Sequence, residues 1–249
     1  MELLNKHVSI RKFQDKVVED SILKNIIYSG TRASTTGNMQ LYSIVVTKEA
    51  EMIKKQASLH FNQPTAVNAP VLLTFVADFN RFNKWCSFND AKPGYNNFLS
   101  FMNASIDAIL VAQNVCVAAE SNGLGICYLG TTLYNAKEMI ELLELPKHTF
   151  PVTTIALGYP AEHPALVDRL PLDAIMHSER YKDYSEHDIN RVYRFKEELE
   201  SSKEFVKQNG KTHLSQVFTD VRYKKEDNEF FSKKMYDVLV EQGFLTEEN

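Results

Sequence analysis

VLLTFVADF, residues 71–79, decides how this chain is read. It is a nearly continuous apolar run of strand length. A strand apolar on both of its faces belongs in a sheet that is covered on both sides. Upstream, LYSIVVT from Leu41 to Thr47 is rich in β-branched and aromatic residues and reads as a second strand. A charged helix of about residues 48–60 joins the two. Downstream, GICYLG from Gly125 and VTTIALG from Val152 read as the third and fourth strands, with a helix at roughly 135–144 ending before Pro146. Val18, Ile22, Ile26 and Ile27 recur at helical spacing and place a first helix over residues 18–30. Residues 104–122 form a helix apolar nearly all round, which belongs inside a domain or an interface. Residues 81–103 read as irregular and aromatic, serving as a core satellite, a lid or a dimer contact. From residue 186 the chain turns strongly charged and helical, over about 187–207 and 227–242. Strands alternating with helices give a layered α/β arrangement. The expected organisation is one domain over residues 1–185, followed by a helical C-terminal extension over 186–249 that packs on it or on a partner subunit.

Composition narrows the function. The chain has 249 residues, 44% hydrophobic and 24% charged, as in an ordinary soluble globular protein. A net charge of -4 argues against a broad nucleic-acid surface. Cys86, Cys116 and Cys127 are an odd set without CxxC spacing, so neither a disulfide framework nor a zinc ribbon is expected, and a reducing compartment follows. The opening MELLNKHVSIRKF lacks the pattern of a secretory signal. The apolar run Ile106–Ala119, broken by Asp107, Gln113 and Asn114, is short for a bilayer span. The expectation is a cytoplasmic protein with no membrane partner.

Two polar stretches carry candidate chemistry. His7, Ser9, Arg11 and Lys12 lie just before the first helix, where cationic side chains and free backbone N–H groups suit a phosphate. A solvated N-terminal arm is the alternative. Ser34-Thr35-Thr36-Gly37-Asn38-Met39-Gln40 follows that helix, and its hydroxyls and amides suit a polyhydroxyl chain or a heterocycle edge. An ordinary polar connection is the alternative. In Gly123-Leu124-Gly125 the glycines precede a strand, which disfavours a Rossmann phosphate loop. Gly130, at the strand's end, permits close approach of a flat ligand. The seven histidines lack metal-ligand spacing, and no GxSxG or HExxH appears. A chain with binding residues but no evident nucleophile or acid/base pair suits a cofactor that carries the electron chemistry itself.

The motifs together resemble a known family. His7-Val8-Ser9-Ile10-Arg11-Lys12-Phe13 is similar to the opening of FMN-dependent nitroreductases, and Ser34 to Gln40 to their hydroxyl-rich loop ending in N-x-Q. Ala118-Ala119-Glu120-Ser121-Asn122-Gly123-Leu124-Gly125 with Tyr128-Leu129-Gly130, then Leu157-Gly158-Tyr159-Pro160-Ala161 and Arg169-Leu170-Pro171, resemble later segments of that family in order and spacing. The likeness is greatest to the NADPH-linked, oxygen-insensitive nitroreductase and flavin reductase branch.

The resemblance implies an α+β fold with a central, mostly antiparallel sheet flanked by helices, and an interlocked homodimer with FMN at its interface. It implies His7, Ser9, Arg11 and Arg169 at the FMN phosphate, and Ser34, Thr35, Thr36, Asn38 and Gln40 along the flavin and ribityl chain. It further implies Gln63 at the ring edge, with Tyr128, Leu129 and Gly130 near the isoalloxazine. The implied activity is ping-pong hydride transfer from NADPH or NADH through FMN to nitroaromatics, quinones or free flavin. A non-enzymatic FMN carrier is the rival reading. The chain departs from the family pattern at Val8 and Val167, where arginine and lysine are usual. Lys207 and Lys211 stand in a stretch that is arginine-rich in the branch.

Overall fold

Residues 1–246 are described by the structure, a computed structural model. The helices are α1 (Glu2–Asn5), α2 (Asp20–Gly30), α3 (Ala50–Leu59), α4 (Pro64–Val67), α5 (Asn80–Phe88), α6 (Phe98–Ser121), α7 (Ala136–Leu142), α8 (Glu186–Glu198), α9 (Glu200–Gln208), α10 (Leu214–Val217) and α11 (Lys225–Glu241). The strands are β1 (Tyr42–Thr47), β2 (Val71–Asp78), β3 (Gly125–Leu129) and β4 (Thr149–Gly158). They form one sheet in the order β1-β2-β4-β3, and every neighbouring pair is antiparallel.

The run at 71–79 behaves as its composition requires. Every residue of β2 is buried. Val71, Leu73 and Phe75 meet Ala108, Val111, Ala112 and Val115 of α6 in one core cluster. On the opposite face Leu72 joins Cys127, Leu129 and Ala156 against Ile53 and Ala57 of α3. Thr74, also on that face, is satisfied by the Gln56 amide at 2.7 Å and by Thr154 at 3.1 Å, so this polar member of the strand is not left unpaired. A bulge between Phe75 and Val76 interrupts the register with β4. Beyond it, Ala77 and Phe79 enter a third cluster with Leu41, Phe101, Phe150, Val238, Leu239 and Phe244.

Two expectations are corrected. The aromatic stretch 81–103 is helical over much of its length: α5 covers its start, and α6 begins at Phe98, six residues before the expected 104. The start of α6 is set by Asn97, whose side chain accepts from the Ser100 N–H at 3.0 Å and caps the helix. The helix expected at 187–207 is two helices, α8 and α9, broken at Leu199, whose backbone is extended at φ -57° and ψ 133°.

With its 24 residues α6 is about 36 Å long. It is long and apolar enough to cross a bilayer by composition alone. Here one side lies in the core, while Met102, Ile106, Ile109 and Leu110 are exposed along another. Gly30 of α2 permits the close approach of α2 and α6, since a Cβ there would fall 2.3 Å from the Val115 side chain.

The chain divides into two compact units. One comprises Met1–Ala165 together with the chain from Lys233 on, and the other is Leu166–Ser232. In the second unit α8 opens with a capping box between Ser185 and Asp188. Glu197 there accepts from the Leu214 N–H at the start of α10, at 3.0 Å.

Candidate functional site

Three groups of polar residues are assembled in the first unit. The first lies where α6 ends and β3 begins. His7 Nδ1 is 2.5 Å from Glu120 Oε1, on the last turn of α6. The Ile10 N–H donates to the Ile126 carbonyl at 2.8 Å and ties the N-terminal segment to β3. Gly125 permits this, because a Cβ there would fall 2.5 Å from Ile10 Cγ1. The N–H groups of Arg11 and Lys12 both donate to Glu162 Oε1, at 2.6 and 3.1 Å. Ser9 is half-buried and Arg11 exposed. Among the described residues no carboxylate lies within ion-pair distance of the Arg11 guanidinium, so its charge is available to an anion.

The second group is the hydroxyl-rich loop. Ser34, Asn38 and Gln40 are exposed, and Thr35 and Thr36 half-buried. Gly37, Asn38 and Gln40 are all left-handed, with φ of 55°, 58° and 55°. Such backbone in asparagine and glutamine needs support from its surroundings. Asp107, 1% exposed, provides it: one carboxylate oxygen accepts from the Thr36 N–H at 2.8 Å and the Thr36 hydroxyl at 3.0 Å, and the other from the Leu41 N–H at 3.1 Å. The Thr36 hydroxyl proton is therefore committed inside the protein. In the sequence Asp107 stands only as a break in an apolar run. A charge kept inside such a helix was the available signal, because a buried carboxylate requires donors.

The third group lies at the far end of β3. Phe61 and Asn62, with φ of 56° and 51°, lead into Gln63, the N-cap of α4. His60, fully buried, holds its Nδ1 2.8 Å from Thr131 Oγ1. It thereby links the Gln63 loop to the turn that begins at Gly130. Burial pushes the His60 pKa down to about 4, so the ring is neutral at physiological pH. A Cβ at Gly130 would meet nothing within 4 Å, which leaves the backbone open to a flat ligand. Leu129 is 2% exposed and its side chain sits in the core, so only its backbone faces this end. The Tyr128 hydroxyl lies 3.4 Å from Gln113 on α6, and burial raises its pKa.

Arg169 belongs to the second unit, where its guanidinium donates to the carbonyls of Asp168 at 2.9 Å and Val167 at 3.2 Å. Lys211, also there, is paired with Asp220 at 2.7 Å.

The first two groups do not meet within one chain. Asp107 and Glu120 mark their places on α6, and residues 107 and 120 of one helix are about 20 Å apart along its axis.

The two buried thiols offer no nucleophile: burial pushes Cys116 up to about 12 and Cys127 upward as well. No group of His, Cys, Asp and Glu able to hold a metal is present among the described residues. What is present is an unpaired guanidinium, a strained hydroxyl and amide loop, an amide at the start of α4 and an open glycine backbone. Groups of these kinds suit the binding and orientation of a ligand more than covalent chemistry of their own.

Comparison with known proteins agrees. The Nitroreductase family model matches residues 4–159. An NADPH-dependent oxidoreductase of Staphylococcus haemolyticus is 33% identical over 203 residues, 80% of each chain. A solved structure from Bacteroides fragilis is 51% identical, covers 98% of this chain and 100% of its own, and superposes with a TM-score of 0.97. The NADPH:FMN oxidoreductase of Vibrio harveyi, solved with NAD+, is 27% identical over 87% of this chain and 94% of its own, with a TM-score of 0.74. Fold and relatives define an NAD(P)H-dependent oxidoreductase with an α+β architecture. The chain belongs to the nitroreductase family.

Proposed function

We propose that the protein is a cytoplasmic, homodimeric flavoenzyme that binds FMN and uses NADPH to reduce small acceptors of the nitroaromatic, quinone or free-flavin class. FMN fits the residues present. The unpaired Arg11 guanidinium suits a phosphate, the Ser34–Gln40 loop suits a ribityl chain, and the open backbone at Gly130 suits a flat ring. Bound FMN supplies a two-electron relay, which lets donor and acceptor use one site in ping-pong order.

The chain's own residues bind and orient. Arg11 offers a planar fork to the phosphate, and Ser9 adds a hydroxyl. Glu120 fixes the His7 ring through Nδ1, leaving Nε2 as the atom available to a ligand. Gln63, held by the His60–Thr131 link, presents an amide to a ring edge. Catalysis rests on orientation, with no protein nucleophile.

The single observation that carries this reading is the arrangement along α6. In the proposed dimer two copies of α6 pair antiparallel along the stripe this helix leaves exposed, which runs from Met102, Ile106, Ile109 and Leu110 on to Gln113 and Asn114, with the two-fold axis at the last two. A crossing near Gln113 then sets residue 107 of one helix level with residue 120 of the other. The hydroxyl-rich loop of one chain and the phosphate segment of its partner thus form one site.

The test is the visible spectrum of the purified protein, followed by NADPH or NADH without oxygen. Flavin bands that bleach within seconds, faster with NADPH, are expected. Flavin bands that persist with both donors favour a carrier, and a protein that takes up no FMN overturns the flavin site.

A further inference from the structure

The left-handed Gln40 is also gripped from a second side. Arg81, on the first turn of α5, donates from Nη2 to the Gln40 carbonyl at 2.5 Å and to the Tyr42 carbonyl at 3.0 Å, and from Nη1 to the Ser43 hydroxyl at 3.1 Å. Asp78 holds the guanidinium from behind: its carboxylate lies 3.7 Å away, and it also accepts from the Arg81 N–H at 3.1 Å and from Ser43. The loop from Thr36 to Tyr42 is therefore held at both kinds of backbone group. The buried Asp107 carboxylate takes the N–H groups of Thr36 and Leu41, and Arg81 takes the carbonyls of Gln40 and Tyr42. Between these grips sit Asn38 and Gln40, whose side chains are exposed and whose backbones are strained.

We infer that Arg81 and Asp107 are positioning residues. They act as a two-ended clamp that presets the hydroxyl-rich loop for its cofactor before that cofactor arrives. The inference rests on the flavin reading of the loop. Neither residue need touch the cofactor. The clamp removes the ordering cost of a strained loop from the binding step. It needs the guanidinium's planar fork, since two carbonyls and a hydroxyl are bridged at once, and a lysine ammonium of equal charge lacks that geometry.

The experiment uses Arg81→Lys and Arg81→Gln beside the wild-type protein. Arg81 is more than half exposed, so the fold tolerates both changes. Two quantities are measured: hydrogen exchange of the flavin-free protein, and the Kd for FMN from fluorescence titration. The clamp predicts exchange at residues 36–42 about tenfold faster in both variants, with the amides of the central strands unchanged. It also predicts FMN affinity lower by about tenfold in both. Arg81→Lys behaving as wild type in either measurement overturns the fork. Unchanged exchange and affinity in both variants overturn the clamp while leaving the flavin site intact. Failure of the wild-type protein to bind FMN overturns the flavin reading and the inference together.

Discussion

His60 is a single side chain whose burial has a measurable cost. The folded protein keeps its imidazole neutral down to about pH 4, whereas the unfolded chain takes up a proton near 6.5. Between those values the unfolded state binds more protons, so stability is lost as pH falls from 6.5 towards 4 and is unaffected by this group above that window. The loss attributable to His60 is about 2–3 kcal/mol at the acid end. Urea denaturation of wild type and His60→Gln at about pH 7 and pH 4.5 checks it. The variant is expected to lose less stability between the two pH values, and equal losses would remove His60 as the cause. At this scale the sequence marks a candidate wherever a residue type carries its own chemistry, as with Arg11 and the hydroxyls of the loop. It was silent on His60, Arg81 and Asp107. Each acts on a partner distant in the chain, Thr131, Gln40 and Thr36 respectively, and no local pattern records such pairings.

Among the elements, β3 and the N-terminal segment depend on a missing methyl group. A Cβ at Gly125 would press on Ile10 at 2.5, 2.7 and 2.9 Å, and Ile10 is only 6% exposed. Gly125→Ala must therefore push the segment carrying His7, Ser9 and Arg11 off the strand. The expected cost is about 1–3 kcal/mol of stability, with weaker FMN retention. Thermal denaturation and flavin content measure the two, and Gly94→Ala, where a Cβ would meet nothing within 4 Å and the backbone is not left-handed, serves as the comparison. Parity between the two variants would show that the Ile10 contact does not matter. The strands and most helices could be read because burial imposes a period on apolar residues. Two things escaped that logic. Phe82, Trp85 and Phe88 give α5 no clean apolar stripe, for Trp85 and Phe88 are largely exposed while Phe82 packs on Phe79 and Tyr95. The break at Leu199 lies between glutamates, with no glycine or proline to mark it.

For the molecule as a whole, the proposed pairing of two α6 helices makes flavin binding and dimerisation inseparable. Ile109 is 48% exposed in the single chain, so a glutamate there leaves the monomer's core intact but buries a charge in the pairing. Ile109→Glu is expected to sediment as a monomer and to lose its flavin in the same step. A monomeric wild-type protein that keeps its flavin, or a dimeric variant, would refute the composite site. The apolarity of α6 was visible in the sequence, but its division into a core face and an exposed face required the sheet to be in place.

The first unit is discontinuous in the chain, since its aromatic core draws Val238, Leu239 and Phe244 from the far side of the second unit. On the ribosome, the sheet and α6 emerge long before the residues that complete that core. Phe101 and Phe150, which lie 5.6 and 5.2 Å from their ring partners Phe244 and Phe101, must wait with part of their surface uncovered until residues 238–244 have been made. The nascent protein thus passes through a stage at which most of its fold is assembled and its core is still open, when it is most exposed to aggregation.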